Sequence, residues 1–369
     1  MTVNSQLIWQ HLTTLDELDK LRDSWQQLNQ QSRHGSLFTS YPWLRNWIAQ
    51  FWQPNWQLAI LVAHTEQTLC VFTPFYIQNN RHFAFKTLHL LGQGEDECME
   101  VCSEYGDILC LPGFEQPAIS YINTWLQSLN IDLITFDAIK PNALINSLPI
   151  LKTQGQKKSP IKKSYRYLIN TQKWSINELS KSTKYKYKRN INKLNQGDNS
   201  FFWLRNEDCE PYWQALNRLH TKRWRSVSKS GAFGQIPFNQ FHLTLMAKTN
   251  INVSMSVLEV NQNPIAINYY LQDNEVLYFY QSGWDKTLYG HLSPGFLLHI
   301  WSIKNCDAEI YDFMMAFEKN SYKKLYGCER HDLLHINKVL KPKKHFFYSW
   351  FNKLKKFINK EDNRLVQQK

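Results

Sequence analysis

An α+β fold with mixed sheets, using one plan twice in succession, is what this sequence predicts. Three observations carry that expectation. The strand pair at 58–63 and 69–77 recurs about 195 residues later as 253–260 and 265–271, each joined by a polar turn. Residues 275–327 read strand, helix, strand and then an aromatic, basic loop. A chain of 369 residues also fits two domains of about 150 to 180 residues better than one. The expected bounds are 1–155 for the first domain, 160–337 for the second and 338–369 for a basic tail. A polar, lysine-rich stretch around Pro160 separates the two domains.

In chain order, Leu15, Leu18, Leu21, Trp25 and Leu28 share a helical face. A turn at 38–42 feeds a helix that turns Trp43, Trp47 and Phe51 inward as core aromatics. Residues 83–91 and 133–137 read as strands, and 119–129 as a helix. Between them lies an acidic loop, from Glu95 to Glu104, followed by Tyr105-Gly106-Asp107. Asp107 reads first as a capping or solvated carboxylate and only second as a substrate contact.

The second half opens with a strand at 165–169. Ser175 and Glu178 form a capping box that opens a helix, with Gly197 to end it. Lys181, Lys184, Lys186, Lys188, Arg189 and Lys193 crowd its outer faces. Residues 157–193 hold twelve Lys or Arg against one acid, Glu178. Charge concentrated in this way repels itself and points to an anionic partner. A further helix, 211–227, carries His220, the one histidine weighed for acid–base work because imidazole titrates near neutrality. A purely structural histidine is at least as common.

The strand–helix–strand unit at 275–315 holds the strongest binding signal. Ser293 stands as N-cap and Pro294 at the first helical position, ahead of an apolar run that starts at Phe296. Gly295 leaves the first-turn amides uncovered, which suits a phosphate or pyrophosphate.

The net charge of +12 is uneven: residues 157–193 carry a net +11 and residues 338–360 add eight Lys and no acid, which together leave the rest of the chain net acidic. In the tail, Phe346, Phe347, Trp350, Phe351, Leu354, Phe357 and Ile358 share a helical face ringed by lysines. That reads as a membrane-surface element, with packing against its own domain as the alternative. The seven cysteines form no Cys-x-x-Cys pair; Cys98, Cys102 and Cys110 cluster with only Glu and Asp nearby, so zinc there is the weaker alternative, and buried free thiols without a metal are expected. No run is long enough to span a membrane, and the N-terminus lacks signal-peptide regions; a cytoplasmic protein, peripheral at most, is expected.

Ser282-Gly283-Trp284-Asp285, Ser293-Pro294-Gly295, Asp312-Phe313 and Tyr322-Lys323, in that order, resemble the CelD/BcsL-like family of GNAT acetyltransferases. Phe38 to Trp47, Tyr105 to Leu109 and Leu219 to Trp224 resemble further motifs of that family. Where family members usually carry glycine between the last two motifs, this chain has Met314, Met315, Ala316 and Phe317. The resemblance implies two tandem GNAT-like (acyl-CoA N-acyltransferase) domains. It also implies acetyl-CoA or another acyl-CoA as donor, with its pyrophosphate on Ser293, Pro294, Gly295 and Phe296 and a phosphate on Lys323. Tyr322 would protonate the leaving thiolate, and Asp285, Asp312 or His220 would deprotonate an amine or hydroxyl acceptor. The implied acceptor is a small molecule or glycan, of cell-envelope or exopolysaccharide type, and nucleic acid is not expected. Two alternatives stand beside this: a Fem-type transferase using aminoacyl-tRNA, and a non-catalytic, membrane-associated scaffold for polysaccharide assembly. Contact between residues 341–360 and anionic membrane is a further expectation.

Overall fold

The computed structural model describes residues 6–66, 68–80, 83–152, 163–225, 231–317 and 321–351. The first half holds strands β1 (Ile8–Leu12), β2 (Trp56–Leu58), β3 (Ile60–Thr65), β4 (Thr68–Phe72), β5 (Phe75–Asn80), β6 (Phe85–Leu90), β7 (Leu109–Cys110) and β8 (Leu133–Ile139). Its helices are α1 (Leu15–Asp19), α2 (Arg22–Gln31), α3 (Tyr41–Phe51), α4 (Glu115–Ser128) and α5 (Pro149–Lys152). The second half holds β9 (Lys163–Asn170), β10 (Asn199–Arg205), β11 (Asn252–Val260), β12 (Asn263–Asp273), β13 (Val276–Trp284), β14 (Ile310–Ala316) and β15 (Glu329–Val339). Its helices are α6 (Lys181–Leu194), α7 (Glu210–Arg225), α8 (Ile236–Lys248), α9 (Lys286–Tyr289) and α10 (Pro294–Asn305).

Eleven strands from both halves form one sheet, in the order β10-β11-β12-β13-β14-β9-β15-β8-β6-β5-β2, and β1-β3-β4-β7 form a second. The halves meet at β15, which pairs with β9 on one side and β8 on the other. No local pattern marked β15, β10 or β1 in advance. Val339 ends β15 at Leu133, so the last strand runs two residues past the expected domain end at 337. The expected linker lies mostly in 153–162, outside the described residues.

The repeated hairpin is real but unequal. β11 and β12 are long and continuous, with one register shift at Leu258/Glu259. Its first-half counterpart breaks into four strands: β3 and β4 lie in the small sheet, β2 and β5 in the large one. Pro74 offers no N–H to a ladder, and the Thr73 hydroxyl takes the Leu61 N–H at 2.8 Å instead, so the chain steps between sheets there.

Helix α3 places Trp43, Trp47 and Phe51 in the core, as expected. The Ser175 capping box does not open the basic helix. Ser175 caps a single 3-10 turn, Ile176–Glu178, after which Leu179 is extended and buried. Helix α6 starts afresh at Lys181, with the Ser180 hydroxyl accepting the Thr183 N–H at 3.2 Å. Burying Leu179 prevents the first turn from continuing. Of the three clustered cysteines expected to be buried, Cys98 is exposed, Cys102 half-buried and Cys110 buried.

Candidate functional site

The site is built where two parallel strands part. β13 and β14 pair through Val276/Ile310, Leu277/Tyr311 and Tyr278/Asp312, and beyond that last pair no rung joins them. From Phe279 onward the β13 edge facing β14 therefore offers backbone N–H and C=O groups to a third, extended partner. Buried aromatic side chains pack together between these strands and α10. His299 of α10 has its ring centroid 4.5 Å from Phe279, 5.2 Å from Phe313, 5.1 Å from Tyr326 and 6.4 Å from Tyr322. Its Nδ1 lies 2.8 Å from the Tyr311 hydroxyl, and burial pushes its pKa down to about 3, so it is neutral at pH 7. Sequence reasoning missed His299; its position inside an apolar run disguised it as core.

Helix α10 starts at the carboxyl end of β13. A Cβ on Gly295 would lie 3.1 Å from the Trp284 ring, so the absence of a side chain lets the indole pack closely against this residue. A Cβ on Gly283 would lie 2.7 Å from the Leu219 Cβ and 2.8 Å from the His220 N, where α7 crosses β13. Both glycines of the recognised motifs are thus there for close packing. Ser293 adopts φ 53° and makes no side-chain cap, unlike the capping serine expected. The capping role passes to its carbonyl, which accepts the Phe296 N–H at 3.0 Å. Pro294 and Phe296 are buried, Ser293 and Gly295 half-buried.

The basic helix joins this corner. Asn190 Nδ2 of α6 donates to the Leu292 carbonyl at 2.8 Å, and Lys186 Nζ sits 4.9 Å from the Phe296 ring centroid. Two signals read separately in the sequence, the α10 start and the lysines of α6, meet at one end of the opening. Partial positive charge at the helix start and full charge on the lysines add there.

The other expected residues divide. Tyr322 is 48% exposed beside His299 and is open to a ligand. Lys323 is not: its Nζ donates to the carbonyls of Phe313, Met314 and Met315 at 2.6, 3.0 and 2.7 Å. An ammonium has three hydrogens, and these use all of them, so the expected phosphate contact gives way to a backbone clamp. Asp312 is fully buried, 2.7 Å from Arg166 Nη2 and 2.7 Å from the Met314 N–H. A carboxylate so held is a strut rather than a base. Asp285 caps α9, accepting from Thr287 N and Leu288 N at 2.8 and 2.9 Å, and pairs with Lys222 at 3.3 Å. Burial raises its pKa, but these bonds outweigh burial and hold the carboxyl below its usual range, which weakens it as a base. His220 is buried on α7, its ring centroid 4.5 Å from Phe233, rather than lining the opening.

Behind the opening lies a buried ionic group drawn from both halves. Glu104 accepts the Met315 N–H at 2.9 Å, and the Tyr105 hydroxyl lies 3.4 Å from Asp312, with the Arg166 guanidinium 4.6 Å from the Tyr105 ring centroid. Burial pushes the Glu104 carboxyl up and the Lys323 ammonium down. Asp107 takes no part; it accepts from Leu144 N and Ile145 N at 2.7 and 2.9 Å and pairs with His34 at 3.0 Å, the capping role expected first. Among the described residues, no group of three or more His, Cys, Asp or Glu could hold a metal ion.

A parallel strand pair that parts in front of a helix start, with a basic helix alongside, is the pattern to compare with known proteins. Residues 181–324 match the acetyltransferase (GNAT) domain. Over most of its length the chain resembles the crystal structure of FemX, with a TM-score of 0.58, 9% identity, and coverage of 92% of this chain and 99% of that one. A tandem GNAT protein from the clavulanic acid biosynthesis pathway aligns with a TM-score of 0.48, 9% identity and coverage of 90% and 98%. No curated relative matches the chain. The fold is mixed α+β, and residues 181–324 are similar to an acetyltransferase (GNAT) domain.

Proposed function

We propose that the protein transfers an acyl group, acetyl in the simplest case, from an acyl-CoA thioester to an amine or hydroxyl. The acceptor we propose is a sugar precursor of the cell envelope or of an exopolysaccharide, in line with the CelD/BcsL-like motifs. One observation supports the donor above all others: β13 and β14 stop pairing at Tyr278/Asp312, in front of the α10 start and beside the α6 lysines. A pantetheine arm is an extended, amide-bearing chain of the kind that an unpaired strand edge can bind. The pyrophosphate would lie toward Ser293 to Phe296 and Lys186. The reaction joins the acceptor nitrogen or oxygen to the acyl carbon and breaks the carbon–sulfur bond, and the proton lost from the acceptor N–H or O–H balances the one that sulfur gains as the thiol leaves. Tyr322 is the group proposed to give that proton. Holding both reactants in line supplies much of the rate, and strand amides directed at the thioester oxygen add electrostatic stabilisation.

A second reading, Fem-type transfer from aminoacyl-tRNA, draws on the likeness to FemX and on the exposed lysines of α6. Release of free thiol from acetyl-CoA, measured against a panel of amino sugars and sugar nucleotides, tests the first reading. Acceptor-dependent release supports it. Absence of release, with transfer from charged tRNA, would replace it by the second.

A further inference from the structure

The chain is helical from 342 to 351, and one side of this segment is fastened to the first half. Lys344 Nζ pairs with the buried Asp132 at 2.7 Å, and Lys341 reaches the same carboxylate at 3.3 Å. Tyr348 stacks on Phe85 with ring centroids 4.2 Å apart, and Phe351 meets Phe83 at 4.7 Å. The expected packing against its own domain is therefore met by this side alone. The opposite side carries Phe346, Phe347 and Trp350, which are 67%, 63% and 59% exposed. Fixed in place, these rings form an aromatic patch facing outward, with Lys343 exposed beside them.

We infer that this patch docks on an anionic lipid surface. Aromatic rings flanked by lysine stems and ammonium groups match the boundary between acyl chains and acidic headgroups. The sequence from Lys338 to Lys360 has eight lysines and no acid, so this stretch of the chain carries charge of one sign. A second copy of the chain is a poor occupant, because a two-fold contact would set these lysines against themselves. The inference is independent of the acyl-transfer reading, which concerns the opening between β13 and β14.

The test is co-sedimentation of the full chain with phosphatidylcholine vesicles, with and without phosphatidylglycerol. Binding should require phosphatidylglycerol, weaken as salt is added, and fall at least about tenfold in a Phe346→Ala/Trp350→Ala double variant. Both side chains are exposed, and an unchanged thermal midpoint would show that the variant folds. Failure of the wild type to bind anionic vesicles would overturn the inference and leave an acidic protein surface as the occupant. Equal binding by wild type and double variant would also overturn it, because the attraction would then not need the aromatic patch.

Discussion

The ammonium of Lys323 donates to the carbonyl of Met314 at 3.0 Å, and Met314 is the residue that the β14 bulge holds at φ 58°. Between Asp312 and Met315 the register of β14 against β9 shifts, which turns the carbonyls of 313, 314 and 315 toward one point. A left-handed methionine is strained by roughly 1–2 kcal/mol, so the bulge needs an external hold, and Lys323 is that hold.

Replacing Lys323 with methionine leaves three inward carbonyls without their donor. Loss of about 3 kcal/mol in urea unfolding is expected, because stranded buried acceptors cost 1–3 kcal/mol each, partly offset by removal of a buried charge. A phosphate ligand would behave differently: donor affinity would fall with stability unchanged. The two measurements on one variant separate the roles.

The Glu95 carboxylate gives the fold a pH dependence. It is buried, accepts from Trp47 Nε1 at 3.0 Å and Val101 N at 2.9 Å, and burial pushes its pKa up to about 7. Between its ordinary value of 4.5 and about 7 the folded state holds a proton that the unfolded state has lost. Stability should therefore fall as pH rises through this window, by at most about 3 kcal/mol from this group. His34 works in the same direction. Its pKa is raised by its bond to Asp107, so its contribution is complete below the unfolded value and fades as pH rises through the folded one. Glu95→Gln should flatten the thermal midpoint between pH 4.5 and 7, and an unchanged slope would exclude Glu95 as its source.

Tyr322→Phe removes only a hydroxyl at a half-exposed position beside His299. A kcat lower by about a hundredfold is expected, with donor affinity kept. Unchanged kcat with any acceptor found would remove Tyr322 from the chemistry.

How much of this was legible in the sequence depends on the range of each interaction. The β13–α10–β14 unit was readable because its signals are local: an aromatic strand, then Ser293-Pro294, then a second strand. Strands β10 and β15 were missed because each is set by partners far away in sequence, β15 by Leu133 and Lys163 at its two neighbours. The same holds inside the site. Asp312 and Lys323 were legible as motif members, but their roles were not. Arg166 lies 146 residues from Asp312, and Glu104 lies 211 from Met315, so no spacing rule could join them. Glycines 283 and 295 belonged to motifs, yet only the packing of α7 and Trp284 shows what they permit.

The central claim, a thioester donor held at the α10 start beside α6, is tested most directly by calorimetry of acetyl-CoA binding to the wild type and to Lys186→Glu. The account predicts a saturable one-site isotherm for the wild type and affinity at least about tenfold weaker for the variant, since a repulsive carboxylate would replace a cation beside the pyrophosphate. Absence of binding by the wild type, or equal binding by both proteins, would contradict it.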